Sequence, residues 1–76
     1  MERYKNLSGD SNVHSFELAP DSITVRFNDD HVYLYTSQSA GAANIAQMHQ
    51  LGRAGRGLNS FINRVVRKLY AKKSRY

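Results

Sequence analysis

Eight cationic side chains and no carboxylate occupy the chain from residue 31 to residue 76. The first thirty residues hold all six carboxylates and only three cations, so the two parts carry formal charges of −3 and +8. Like charges repel one another, and a solvated surface normally mixes both signs. Arg binds phosphate oxygens through a planar fork, and Lys binds them as a point charge. The separation of charge therefore favours a polyanionic ligand.

Part of this positive charge is regularly spaced. Arg64, Lys68 and Lys72 recur at every fourth position, so on a helix they form one stripe about 12 Å long. Such a row could follow successive phosphates, or it could be a merely solubilising face whose cations suit a helix C-terminus. Anionic lipid or an acidic protein is a further possible ligand. Because no acid interrupts the stripe, nucleic acid is favoured. The predicted nucleic-acid-binding residues are Arg53, Arg56, Arg64, Arg67, Lys68, Lys72, Lys73 and Arg75.

A loop rich in glycine and arginine, Gly52–Gly57, precedes that predicted helix. Its free backbone N–H groups, together with Arg53 and Arg56, could cradle an anion. It lacks the Gly-Lys-Ser/Thr ending of a nucleotide-hydrolysing P-loop. It could equally be a tight connection between helices in which Gly52 ends the first helix.

Tyr33 and Tyr35 alternate along a strand-like segment. Exposed tyrosines on a sheet, beside Arg26, could stack on bases, whereas tyrosines turned inward would pack in the core. The preceding turn decides between these outcomes, because a shift of one residue moves every side chain to the other face.

A two-residue turn at Asp29–Asp30 would leave both tyrosines outside with Arg26. A three-residue loop over residues 28–30 would instead place them on the face of Ile23 and Val25. Asp-Asp is a poor two-residue turn, and Asp30 tolerates the left-handed conformation that ends the longer loop. We therefore expect the three-residue loop and core packing of the tyrosines, with base stacking by Tyr33, Tyr35 and Arg26 as the alternative.

No arrangement of residues indicates catalysis or metal binding. Cysteine is absent, and the histidines at positions 14, 31 and 49 have no ligand-like spacing. Asp29 and Asp30 are adjacent in a turn, so they point apart rather than flanking a scissile bond. The sequence predicts a protein that is not an enzyme and needs no cofactor.

Patterned segments predict the elements that position these residues. Alternating residues over 13–19, 22–28 and 31–36 predict a three-stranded antiparallel meander. Apolar spacing predicts a helix over 40–51, capped by Ser39, and a second helix from Leu58 to Lys72 or Lys73. The expected fold is α+β in the order β-β-β-α-α, with both helices on one face of the sheet. Residues 12–73 form the predicted domain, with a flexible arm over 1–11 and a flexible tail over 74–76.

The order of these motifs resembles the KTSC domain, which is found at the C-terminus of certain lysyl-tRNA synthetases and in small stand-alone bacterial proteins. The matching residues are Ile23-x-Val25-x-Phe27, Tyr33-Leu34-Tyr35 and Gly55-Arg56-x-Leu58-Asn59-x-x-Ile62. The resemblance spans about residues 12 to 70, although Asp30 replaces the usual turn glycine and Gly57 a usually aromatic residue. It implies RNA binding, the leading proposal for a family without an established activity.

These observations predict a small nucleic-acid-binding module that prefers RNA, the preference resting on the resemblance. The alternative is an adaptor that docks its basic helix on an acidic protein or forms a homodimer through Val32 or Leu34. No segment is long and apolar enough to span a membrane, and the first residues do not resemble a signal peptide. We therefore expect a cytoplasmic protein with no membrane contact. The sequence does not determine its oligomeric state.

Overall fold

The computed structural model describes residues 1–7, 9 and 11–76. It contains a five-stranded antiparallel sheet in which the strands lie side by side in sequence order. Helices separate the fourth and fifth strands, so the predicted α+β class is confirmed, whereas the predicted three strands and two helices are too few. The elements are β1 (Glu2–Arg3), β2 (Val13–Ala19), β3 (Ser22–Phe27), β4 (His31–Thr36), α1 (Ser37–Ala40), α2 (Ala42–Ala54), α3 (Leu58–Phe61) with a π-helical continuation (Ile62–Val66), and β5 (Lys72–Arg75).

The turn between β3 and β4 is the expected three-residue loop. Asp30 adopts a left-handed conformation with φ of 69°, and its N–H donates to the carbonyl of Phe27 at 3.0 Å. In the resulting register, Tyr33 lies opposite Val25 and Tyr35 lies opposite Ile23. Both tyrosines therefore share the core-facing side of the sheet, as predicted.

The N-terminal segment belongs to the domain, which differs from the predicted separate arm over 1–11. β1 pairs with β2, and Tyr4 is only 3% exposed. The hydroxyl of Tyr4 accepts a hydrogen bond from the N–H of Leu58 at 3.3 Å, and the N–H of Leu7 donates to Gly55 at 2.7 Å. Two residues of the predicted arm, Ser8 and Asp10, lie outside the described part of the chain.

The first helical region begins earlier and ends later than predicted. Thr36, rather than Ser39, is the N-cap, and Ser39 completes a capping box by accepting the Thr36 N–H. Gly41 separates α1 from α2, which continues through Gly52 and ends at the left-handed Gly55. Gly52 therefore lies within α2 and does not end it, which differs from the predicted alternative. A Cβ at this position would lie 3.3 Å from the Phe16 ring. The glycine lets that ring pack against the helix backbone.

The second predicted helix, from Leu58 to Lys72 or Lys73, is wrong beyond Val66. The chain turns there, with the Leu69 N–H donating to the Val66 carbonyl at 2.7 Å, and residues 72–75 then pair with β4. This pairing satisfies backbone groups that a helix would leave unpaired at the edge of β4. The predicted tail over 74–76 is likewise part of the sheet, since Arg75 lies in β5 and the Tyr76 N–H donates to Asp30 at 2.8 Å.

One face of the sheet and the helices enclose the core. Within the described part of the chain, no helix has both the length and the apolar character required to cross a membrane. The buried hydrophobic residues are Tyr4, Val13, Phe16, Ile23, Val25, Tyr35, Ala40, Ile45, Met48, Leu58, Ile62 and Val66.

Candidate functional site

An open cleft of about 670 Å³ lies where the core-facing side of β4 and β5 meets the end of the last helix. The turn after that helix and the β3–β4 loop contribute further side chains. Aromatic, amide and cationic groups are combined in its lining, with a single carboxylate among the described lining residues. These residues are Asn12, Phe27, Asn28, Asp29, His31, Tyr33, Tyr35, Asn59, Ile62, Asn63, Arg67, Lys68, Tyr70 and Lys73.

Tyr33 is the centre of an aromatic cluster in this cleft. The Tyr70 ring stacks on it, with centroids 5.1 Å apart and planes 19° apart, while the His31 ring lies parallel at 6.4 Å. Phe27 and Tyr35 meet the Tyr33 ring edge-on at 5.4 and 6.3 Å. His31, Tyr33 and Tyr35 converge because alternate residues of a strand share one face. The cleft therefore has an ordered wall in which the rings of His31, Tyr33 and Tyr70 are nearly parallel.

Three cations border this wall. Lys73 lies opposite Tyr33 in the β4–β5 pairing, and its Nζ is 5.7 Å from the centroid of the tyrosine ring. Arg67 and Lys68 come from the turn that follows the π-helical segment, and all three side chains are exposed. Among the described residues, the basic side chains that lie close to a carboxylate are Arg26, beside Asp30, and His31, beside Asp29. No described carboxylate lies within ion-pair distance of these three cations.

The carboxylate of the cleft, Asp29, holds the His31 ring in place. Its Oδ2 lies 2.9 Å from the His31 Nδ1, and its Oδ1 accepts the His31 backbone N–H at 3.1 Å. The hydrogen bond from the His31 side chain is the main cause that lowers the pKa of Asp29 below its ordinary value. This carboxylate is therefore ionised at neutral pH and is engaged with the histidine.

Tyr35 forms the floor of the cleft and is fully buried, with 0% exposure. Its hydroxyl has no hydrogen-bond partner among the described residues. Burial, reinforced by the neighbouring Tyr33 and Tyr70, raises the pKa of Tyr35 above that of a free tyrosine. The hydroxyl remains neutral and can both donate and accept a hydrogen bond. The ring itself is enclosed in the core, so Tyr35 cannot present a stacking face.

Arg26 is not part of this cleft, which corrects the predicted grouping of Arg26 with the two tyrosines. It lies opposite Val32 on the other face of the sheet. Its Nη2 donates to Asp30 Oδ1 at 2.8 Å, and its guanidinium lies 3.7 Å from the centroid of the Tyr76 ring. The three-residue loop that turns the tyrosines inward also separates them from Arg26.

The predicted stripe of Arg64, Lys68 and Lys72 does not form. Arg64 is exposed on the π-helical segment, Lys68 lies in the following turn, and Lys72 lies in β5 opposite Leu34. Neighbouring strand residues face opposite sides, so Lys72 points away from the face that carries Lys73. Of the predicted cations, Arg67, Lys68 and Lys73 come together in the cleft.

The remaining predicted cations do not line the cleft. Arg75 is nearest to it, opposite His31 on the face of β5 that carries Lys73. Arg53 and Arg56 are exposed at and just beyond the end of α2. The Gly52–Gly57 segment is not a free loop, since α2 runs through Ala54 and the Gly55 N–H donates to the Leu51 carbonyl at 3.0 Å. The N–H of Leu58, just after the loop, donates to the Tyr4 hydroxyl. These contacts favour its role as a connection over the predicted anion cradle.

Of the described lining residues, the sequence analysis predicted Tyr33, Tyr35, Arg67, Lys68 and Lys73 as site residues. Those it missed include His31, Asn59, Asn63 and Tyr70. His31 could have been found from its alternation with Tyr33 and Tyr35 on the strand. Asn59 and Asn63 lie one helical turn apart, which places two amides on one face. Tyr70 fitted the apolar spacing of a longer helix, so nothing local indicated its contact with Tyr33.

In the described part of the chain, no three His, Asp or Glu side chains come close enough together to hold a metal ion. Comparisons with protein-family models, with curated proteins and with solved structures find no match.

Proposed function

We propose that this protein is a non-enzymatic RNA-binding module of the cytoplasm that holds single-stranded RNA at the cleft. The observation that carries the proposal is the position of Arg67, Lys68 and Lys73 beside parallel aromatic rings, without a described acidic partner. Cations bind the phosphates of a strand and aromatic rings stack on its bases, so the cleft offers both requirements together.

The positive charge of the cleft would supply much of the affinity for RNA and make that affinity depend on salt. Each neutralised phosphate of a single strand releases counterions, and contact with about three phosphates gives a log–log salt slope of about −2. Affinity should then fall about 20-fold between about 50 and 200 mM salt. Additional contacts by Arg64 or Arg75 would make the fall steeper.

The aromatic wall supports a preference for single strands. Bases in a duplex are already stacked and paired, whereas an unpaired base can turn toward a protein ring. The preference for RNA over DNA rests on the likeness of the sequence motifs to the KTSC domain, because phosphate contacts alone do not distinguish the two.

Neighbouring lysines of β5 provide a matched test. Lys73→Gln removes a cation from the cleft, whereas Lys72→Gln removes the same charge from the opposite face of the same strand. We expect Lys73→Gln to weaken binding of a labelled single-stranded RNA about fivefold near 100 mM salt and to reduce the magnitude of the salt slope by about 0.7. Lys72→Gln should cost about twofold or less, since long-range attraction is screened over about 10 Å.

Fluorescence anisotropy with a 12-nucleotide RNA and with its duplex, each at two salt concentrations, measures these quantities. A flat salt response, or equal losses for the two lysine variants, would contradict the proposal.

A second candidate function is docking on an acidic protein. Val65 and Leu69 are 46% and 43% exposed and lie near Arg64 and Lys68 in the sequence. Exposed apolar residues beside cations suit a partner that presents acidic and apolar side chains together. Co-purification followed by nuclease treatment separates the two functions. A protein complex that survives the nuclease and contains no RNA would favour docking.

A further inference from the structure

The unpartnered hydroxyl of Tyr35 points to a ligand more specific than a phosphate chain. Buried hydroxyl groups nearly always have hydrogen-bond partners, because an unpaired one loses its interactions with water without replacement. Tyr35 is fully buried, lines the cleft and has no partner among the described residues. A ligand group would supply the missing partner by displacing the side chains that cover this hydroxyl.

The wall above this hydroxyl suits a flat aromatic ring. His31, Tyr33 and Tyr70 lie nearly parallel, so a planar ligand aligned with them would extend the existing stack. The rings are held in place beforehand, since Asp29 bonds His31 and Tyr70 packs on Tyr33. Stacking on a prearranged surface loses little conformational entropy.

Amides of the last helix add hydrogen-bonding capacity. Asn59 and Asn63 line the same cleft one helical turn apart, and each amide carries donors and an acceptor. Amide side chains form paired hydrogen bonds with the edges of nucleobases. Together with the Tyr35 hydroxyl, they provide polar groups that a phosphate or ribose alone would not require.

We propose that the cleft is a recognition subsite for one unpaired nucleotide of the RNA. Its base stacks on the aromatic wall, the base edge meets Tyr35 and the two asparagines, and its phosphate meets the cations. A cleft of about 670 Å³ is within the usual size of small-molecule sites, about 300 to 1,000 Å³. This inference rests on the proposed RNA binding and adds base recognition to it.

Nucleoside 5′-monophosphates separate base recognition from phosphate binding. In NMR titrations of the whole chain with each of the four monophosphates and with ribose 5-phosphate, at least one nucleotide should bind about tenfold more tightly than the sugar phosphate. The resonances of Tyr33 and Tyr70 should shift with the nucleotide.

Tyr35→Phe tests the role of the hydroxyl. The variant keeps the ring and removes an unpaired buried group, so its melting temperature should not fall, whereas its affinity for the preferred nucleotide should drop about fivefold. The control is Tyr76→Phe, which removes the hydroxyl of a side chain that is 75% exposed and contacts Arg26 on the opposite face. Tyr76→Phe should leave nucleotide affinity unchanged.

The outcomes distinguish this inference from the proposed function. If nucleotides bind no better than ribose 5-phosphate, or if Tyr35→Phe binds them as well as the natural chain, base recognition at the cleft is wrong. RNA binding with a steep salt dependence would still support the proposed function in that case. If nucleotides bind and Tyr35→Phe weakens them, but an oligonucleotide binds no more tightly, the subsite is supported and the proposed RNA binding fails.

Discussion

The backbone conformation of one residue, Asp30, determines which side chains line the cleft. With φ of 69°, it closes a three-residue loop and sets the register that places Tyr33 opposite Val25. A one-residue shift would turn Tyr33 outward beside Arg26 and bring Val32 inward. This feature was predictable from local turn chemistry alone, because the alternating pattern of β4 offers an apolar face in either register: Tyr33 and Tyr35, or Val32 and Leu34.

Gly55 links the end of α2 to the N-terminal segment, and its replacement should be costly. Gly55 and Gly57 have similar left-handed conformations, but a Cβ at Gly55 would lie 2.7 Å from the Cβ of Lys5. Gly55→Ala should therefore lower the free energy of unfolding by about 2 to 3 kcal/mol, because backbone strain and a steric clash combine. Gly57→Ala, whose nearest contact is the flexible end of Leu51 at 3.4 Å, should cost only about 1 kcal/mol.

Urea denaturation of both glycine variants measures the difference. Equal costs would show that the contact between Lys5 and Gly55 does not constrain the folded chain.

At the scale of elements, β5 completes the cleft, although the sequence predicts a helix that extends into its first residues. The apolar spacing from Leu58 to Tyr70 fits a helix, so the sequence supplies no local signal for the turn after Val66. The structure depends instead on two distant partners: the free edge of β4 and the ring of Tyr33. Lys73 reaches the cleft only because it is in a strand.

Two adjacent residues distinguish the observed fold from the helical interpretation. If the helix continued, both Leu69 and Tyr70 would lie on its apolar face and pack into the protein core. In the structure, Tyr70 stacks on Tyr33 and Leu69 is exposed. Tyr70→Ala should lower the free energy of unfolding by about 2 kcal/mol, and Leu69→Ala by less than about 1 kcal/mol. Denaturant midpoints measure both effects. Similar losses would instead favour packing of both side chains.

At the scale of the whole molecule, the sequence predicts the central meander and the fold class better than the edges of the sheet. β2, β3 and β4 have alternating patterns, whereas β1 has only two residues and β5 reads Lys-Lys-Ser-Arg. Neither edge strand carries an apolar pattern of its own. Each is held by its pairing with a longer neighbouring strand, which the sequence of the edge strand does not reveal. Part of the cleft was predictable in the same way. Its three cations, Tyr33 and Tyr35 were recognised, but their meeting depends on contacts between segments distant in the chain.

Net charge has a consequence for stability without any ligand. The chain carries a formal charge of +5, and its cations from residue 53 onward have no described ion-pair partner. Screening of their repulsion should raise the free energy of unfolding by about 0.5 kcal/mol as sodium chloride rises from about 20 to 200 mM. Urea denaturation at both concentrations tests this. A decrease with salt would mean that attractive charge pairs outweigh the repulsion.

The order of the strands also bears on how the protein folds. The pairings of β2 with β3 and of β3 with β4 join strands that are connected by short turns. The pairing of β4 with β5 joins strands that are separated in the chain by the whole helical region. Closing that longer loop carries the larger entropic cost, so we expect β5 to dock late. Lys73 and the stacked Tyr70 would then arrive together, and a chain still emerging from the ribosome would have an incomplete cleft until β5 had been made.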